Sequence, residues 1–202
     1  MKGFLKEGRP TGFFAQPVAQ ACLLAGFCLF LYVVNLGCWD LWNPDEPRYA
    51  HVVREMVSRG DWVLLHFNGK VYAEKPPLFF WLIALSSFLW KGVTSFSARL
   101  PAAFFATGTV LLTWAMGRRL YSARTGFLAG LILATAGEFA YLATRVNIDA
   151  ILAFFTTAAL YAFLSRYLKD RDEEGRPEKM GGAAFYAFYL GMAMATLTKG
   201  PV

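Results

Sequence analysis

At 202 residues, with 56% of them hydrophobic and a mean hydropathy of +0.39, the chain is more apolar than an ordinary soluble domain. Its net charge of +6 does not mark a nucleic-acid binder, because the basic residues lie beside hydrophobic runs, the pattern that sets membrane topology. The three cysteines, Cys22, Cys28 and Cys38, are an odd count without zinc spacing, which excludes a disulfide framework and a zinc module.

Lys2, Lys6 and Arg9 precede an uncharged stretch from Pro10 to Trp39. That stretch far exceeds the about 7–15 apolar residues of a signal peptide, and Asn35 stands where a lipoprotein cleavage site carries an aliphatic residue. An uncleaved first span is predicted. With about 20 apolar residues needed to cross a bilayer, spans are predicted at about 18–38, 99–117, 125–143, 149–167 and 182–198. The run from Pro76 to Trp90 has only 15 residues, and as a helix it reaches about 22 Å against a hydrocarbon core of about 30 Å.

Charge decides how this short run is placed. If it crossed, the basic loop 117–124 and the segment 166–181 would both fall outside, against the positive-inside tendency. If it lies in the interface, the N-terminal tail and both basic segments are cytoplasmic. Loop 39–98, the turn at 144–147 and Lys199-Gly200-Pro201 are then external. The predicted fold is therefore all-α: a polytopic membrane bundle of about five transmembrane helices, with in-plane helices in the first external loop.

Within that loop, Asp45 and Pro47 mark a helix start. Tyr49, Val52, Val53 and Met56 recur at helical spacing, and Gly60 is a natural stop. Asp61–Leu65 reads as extended or interfacial with Trp62 as an anchor, and Asn68-Gly69 is a turn. The charged run 168–181 reads as a solvated linker. No repeat, phosphate-binding glycine loop or nucleophile triad is present, and His51 and His66 read as loop residues facing solvent.

Three groups can carry chemistry. Asp45 and Glu46 have a helix-cap explanation, but two acids beside Arg48 exceed what capping requires, and a carboxylate at a membrane surface can orient or deprotonate an acceptor hydroxyl. Glu74-Lys75-Pro76-Pro77 can be a plain surface pair before a helix. Alternatively Lys75 with Arg48 forms a cationic site for a lipid phosphate or a pyrophosphate leaving group, its direction held by the prolines. Asp149, near Asn147 and Arg145, either caps a helix or adds a second acid on the same face. Glu138 lies in an apolar segment, where an acid is a functional candidate, and Arg145 is its expected partner.

The stretches DEPRYAHVVREMVSRGDWV, NGKVYAEKPPLFFWLIALS, FSARLPAAFFATGTVLLTWAMGRRLYSARTGFLAGLILATA, RVNIDAILAFFTTAALYAFL and LTKGP, in this order, resemble polyprenyl-phosphate-sugar glycosyltransferases of the GT-C fold, in particular the lipid A aminoarabinose transferase and protein mannosyltransferase group. The resemblance implies an inverting transfer from a polyprenyl-phosphate sugar to a lipid, protein or glycan acceptor on the periplasmic face of the bacterial inner membrane. It implies catalytic roles for Asp45, with Glu46 beside it, and for Asp149, and places the donor phosphate on Lys75; Arg48, Tyr49, Tyr72, Glu138 and Arg145 join Lys75 as expected substrate-binding residues on the reading of the residues themselves. No cofactor is required by it, although Glu74 touches a divalent metal in some relatives. Relatives of this kind have about a dozen spans and a soluble C-terminal domain, so residues 1–202 are expected to be an N-terminal portion lacking those parts. A transporter or flippase half, or a non-catalytic membrane subunit, are the competing readings.

Overall fold

The computed structural model describes residues 12–172 and 182–200. After a 3-10 turn at Gly12–Ala15 come α1 (Pro17–Val33), α2 (Asp45–Arg59), the hairpin strands β1 (His66–Phe67) and β2 (Lys70–Val71), α3 (Leu78–Leu89), α4 (Ser95–Leu120), α5 (Ala123–Thr135), α6 (Gly137–Ala143), α7 (Ile148–Asp172) and α8 (Ala183–Lys199). Lys2, Lys6, Arg9, Pro201 and residues 173–181 of the expected linker lie outside the described residues. The part of that linker up to Asp172 is helical, continuing α7.

Helix α4 is the axis of the molecule, packed against α1, α3, α5, α6 and α7, while α8 lies along α7. Its start is fixed locally. Thr94 and Ser97 form a reciprocal capping box, with Ser97 N donating to Thr94 Oγ1 at 3.1 Å and Thr94 N to Ser97 Oγ at 2.9 Å. Pro101 then sits inside the helix and brings no N–H for the carbonyl four residues back. That carbonyl, Ser97 O, instead accepts from Ser86 Oγ of α3 at 2.5 Å. The proline thus opens an acceptor that a neighbouring helix fills, and α3 is pinned to α4 at that point.

At the far end of α4, Gly117 and Gly126 let α5 fold back closely. A Cβ on Gly126 would stand 2.6 Å from Arg118 N and from Trp114 O. Ser122 caps α5 by accepting from Thr125 N at 3.2 Å. The continuous span expected over 125–143 is instead broken: α5 and α6 meet at Ala136 with a bend of 68°. Thr135 Oγ1 donates to Leu131 O at 2.9 Å and Ile132 O at 3.3 Å, local bonding that bends helices, and Gly137 follows at once.

Among the described residues, two helices are long and apolar enough to cross a membrane, α4 and the Ile148–Leu168 part of α7, or three if the bent α5–α6 pair counts as one; α1 and α3 are apolar but shorter. Hydrogen bonds separate two ends of the bundle. At one, Gln20 of α1 accepts from Trp114 Nε1 (3.0 Å) and Arg118 Nη1 (2.9 Å) of α4. At the other, the C-terminal end of α1, the start of α4 and the loop before α7 converge on the start of α2.

Helix α2 runs as its pattern predicts, with Tyr49, Val52, Val53 and Met56 in one buried cluster with Phe79, Phe80, Ile83, Val146, Ile148 and Ile151. It stops at Gly60, which is left-handed at φ +71°. Asn68 (φ +53°) and Gly69 (φ +77°) make the hairpin turn. Asp61–Leu65 is a turn, not an extended run, because Asp61 Oδ1 accepts from Leu64 N at 3.0 Å. His51 faces Glu55 at 3.0 Å, and Glu55 also takes Gly69 N at 3.2 Å, so the hairpin is tied back to α2.

Candidate functional site

The start of α2 is anchored by a buried ion pair. Arg99 of α4 is 2% exposed and Glu46 is 4% exposed. All five N–H groups of Arg99 are used: Nε (3.0 Å) and Nη2 (2.7 Å) donate to Glu46, Nη1 to Leu36 O and Trp39 O (2.8 and 2.9 Å), and Nη2 also to Asp40 O (2.8 Å). Glu46 also accepts from Trp42 N and Val146 N, both at 2.7 Å. Its four lone-pair sites are then filled. Burial alone would raise the Glu46 pKa, but the Arg99 fork and the two amides outweigh it and hold the carboxyl below its usual range. Expected to act beside Asp45, Glu46 instead ties five chain segments together, with no lone pair left for a substrate.

Its neighbour Asp45 points elsewhere. It is exposed and pairs with Arg48. Arg48 also faces Glu74 at 3.7 Å and lies over the Tyr49 ring at 5.7 Å. The hydrogen bond that Arg48 donates to the Asp45 carboxylate raises the Arg48 pKa further. Tyr49 and Tyr72 stand edge-on to Phe80, each at 5.9 Å between ring centres. Burial first, then the charge of Asp45, pushes the Tyr49 phenol up, with Arg48 opposing and Asp149 and Glu74 adding to the rise. The three carboxylates are therefore all near enough for their charge to act on this phenol. Tyr72 is 7% exposed, and burial followed by the Glu74 charge holds it firmly protonated at any physiological pH.

Two donors in this cluster are unfilled. Arg48 Nε and Tyr72 Oη are buried and have no hydrogen-bond partner; the Glu74 carboxylate lies beside Tyr72 without reaching hydrogen-bond geometry. Half-buried Lys75 makes no hydrogen bond or ion pair among the described residues, leaving three ammonium donors free. A buried unmet donor costs about 1–3 kcal/mol, which an acceptor oxygen entering the cluster would relieve.

Asp149 opens α7, its N–H accepted by Asn147 Oδ1 at 2.6 Å. It pairs with Lys199 of α8 at 2.5 Å, so α7 and α8 are joined at the same end of the bundle. Arg145 does not meet Glu138. It stands 3.9 Å from Glu46 Oε2 and over the Trp42 and Tyr141 rings at 5.8 and 5.2 Å. Glu138 is exposed in the first turn of α6, its side chain without hydrogen bond or ion pair among the described residues, while the Arg145 guanidinium is taken up by Glu46, Trp42 and Tyr141.

The profile of the dolichyl-phosphate-mannose-protein mannosyltransferases matches residues 19–202. The chain belongs to this family. Among its relatives, the undecaprenyl phosphate-alpha-4-amino-4-deoxy-L-arabinose arabinosyl transferase of Aeromonas salmonicida is 38% identical over 176 residues, covering 86% of this chain and 31% of that protein. The transferase of the same name from Pseudomonas aeruginosa is 34% identical over 184 residues, covering 90% and 32%. Two crystal structures of ArnT from Cupriavidus metallidurans share the fold at 29% identity. The apo form has a TM-score of 0.76, over 91% of this chain and 33% of that one. The form bound to undecaprenyl phosphate has a TM-score of 0.74, over 88% and 32%. The chain thus spans about a third of the length of the relatives it matches.

Two ion-pair partners in this mannosyltransferase-family chain are not evident from local pattern. Arg99 stands at the edge of an apolar span, and an arginine at the head of an apolar run is itself a signal of a buried partner. Lys199 sits in the LTKGP stretch, and nothing in that stretch points to Asp149. As for a metal, the family member's residues do not by themselves fit one: no three His, Cys, Asp or Glu side chains cluster to hold a metal among the described residues, and Glu74 already faces Arg48.

Proposed function

We propose that residues 1–202 form the first part of the reaction site of a membrane glycosyltransferase that moves a sugar, with inversion, from a polyprenyl-phosphate donor to a hydroxyl or phosphate of a lipid A, protein or glycan acceptor. The observation that carries this is Arg48 between Asp45 and Glu74 and over Tyr49, with the buried donors Arg48 Nε and Tyr72 Oη unfilled, in a fold shared with a relative crystallised with undecaprenyl phosphate.

In this reading the acceptor oxygen attacks the anomeric carbon as the bond from that carbon to the phosphate oxygen breaks. The acceptor proton passes to Asp45. The charge that develops on the departing phosphate is met by Lys75, by Arg48 and by the Tyr72 hydroxyl. Asp149, held by Lys199, supports the acceptor side, and Glu46 with Arg145 holds the loop. Glu138 has no neighbour linking it to the cluster and takes no part. A divalent metal at Glu74 would need ligands from outside the described cluster.

The membrane arrangement belongs to the same proposal. Helices α1, α4, α5–α6, α7 and α8 make five crossings, α2 and α3 lie in the interface, and the Asp45 end faces the periplasm of a bacterial inner membrane. The reverse end carries Arg118, Arg119 and Arg124, as the positive-inside rule requires.

The test is transfer of radiolabelled sugar from a polyprenyl-phosphate donor in membranes holding the protein. Asp45→Asn is expected to lower turnover about 10²–10⁴-fold, the usual scale of a lost general base, at unchanged folding yield. Full turnover by that variant would remove Asp45 from the reaction.

A further inference from the structure

Away from the acid–base cluster, α2 and α3 enclose a second concavity. It is an open groove of about 380 Å³ lined by Arg54, Val57 and Ser58 of α2, by Ala84, Ser87 and Phe88 of α3, and by the turn Lys91-Gly92-Val93. No carboxylate lines it. Its floor is apolar and its two ionisable groups are both cationic. Arg54 spends one N–H on Val93 O at 2.9 Å, which leaves four donors. The exposed Lys91 ammonium makes no hydrogen bond or ion pair among the described residues, and the Lys91 backbone is left-handed at φ +54°, an uncommon conformation for a residue of this size.

The rim is hydrophobic. Trp62 stacks on Phe88 at 6.2 Å between ring centres, and Val63, Leu85, Leu89 and Trp90 are all exposed beside it. Two tryptophans at the margin of an apolar face are the mark of a membrane–water interface. A groove there meets lipid headgroups, and one with paired cations over an apolar floor matches an anionic head on an acyl stem.

We propose that this groove binds an anionic glycerophospholipid of the surrounding bilayer, its phosphate between Arg54 and Lys91 and its first acyl carbons on Val57, Ala84 and Phe88. The volume holds the phosphate and glycerol, and the chains leave over the Leu85–Leu89 face. Such a lipid would touch both α2, which carries Asp45, and α3, which follows Lys75. This site stands independently of the transferase reading, since it needs only helices lodged in a membrane.

The experiment is lipid binding to the purified chain in neutral detergent, followed by native mass spectrometry and by quenching of Trp62 with brominated short-chain phosphatidylglycerol or phosphatidylcholine. Phosphatidylglycerol is expected to bind in preference. Lys91→Ala should weaken it about fivefold and Lys91→Glu more, the scale of one basic residue near an anionic lipid, while Lys70→Glu on the exposed hairpin leaves it unchanged. Equal binding of the two lipids, unaltered binding by Lys91→Glu, or full competition by inorganic phosphate would each overturn the proposal. Sugar transfer is not among the readouts, so failure here leaves the transferase reading untouched.

Discussion

Asp45 and Glu46 are adjacent in the chain and opposite in character. Successive residues on a helix point about 100° apart, so one carboxylate turns to solvent and the other into the bundle, where Arg99 waits 53 positions later in the chain. Removing one member of a buried pair leaves an uncompensated charge, and Arg99→Leu should destabilise the chain by about 3–5 kcal/mol, read as a lower unfolding temperature in detergent. The same pair makes stability pH-dependent. Because the folded Glu46 pKa is depressed, its contribution is complete above the ordinary carboxylate range and is lost as pH falls through the lower folded value. Unfolding temperature should therefore drop on acidification, and drop less steeply in Arg99→Leu. The sequence identified both acids and grouped them together. It could not separate their roles, since only a distant partner distinguishes a brace from a reactive group.

At the scale of elements, the helices follow local rules and their junctions follow tertiary ones. Helix α2 was legible from Asp45 to Gly60 because cap, apolar spacing and stop signal agreed. The break at Ala136 was not, because 125–143 reads as continuously apolar and no proline marks the bend. Pro101 gives a sharper case. Ser86→Ala leaves Ser97 O without the hydroxyl that replaces the missing helical N–H, at a cost of about 1–3 kcal/mol. Pro101→Ala restores that N–H, so the double variant should recover most of the loss in a double-mutant cycle on unfolding temperature. At the α4–α5 hairpin, Gly126→Leu drives a side chain into Arg118 and Trp114 backbone and should cost about 1–3 kcal/mol or more, seen as reduced folded yield.

For the whole molecule, the decisive feature is which chain ends meet. Asp45, Arg99, Val146, Asp149 and Lys199 lie at one end; Gln20, Trp114, Arg118 and Gly126 lie at the other. Single cysteines placed at Lys70 and at Ser122 should react with impermeant maleimide from opposite sides of sealed vesicles. Labelling from the same side would break the proposed topology. The sequence by itself determined the apolar, helical, membrane-type character, the in-order motifs that mark the family, and the acidic and basic residues of the first loop, since all of these are written in composition and local spacing. Tertiary structure alone decided that Glu46 is satisfied by Arg99, that Lys199 holds Asp149, that Arg145 leaves Glu138, and that Arg48 and Tyr72 keep unfilled donors. The first two are contacts between residues about 50 positions apart in the chain, and all four turn on hydrogen-bond and ion-pair satisfaction, a property of the folded neighbourhood that no local pattern encodes.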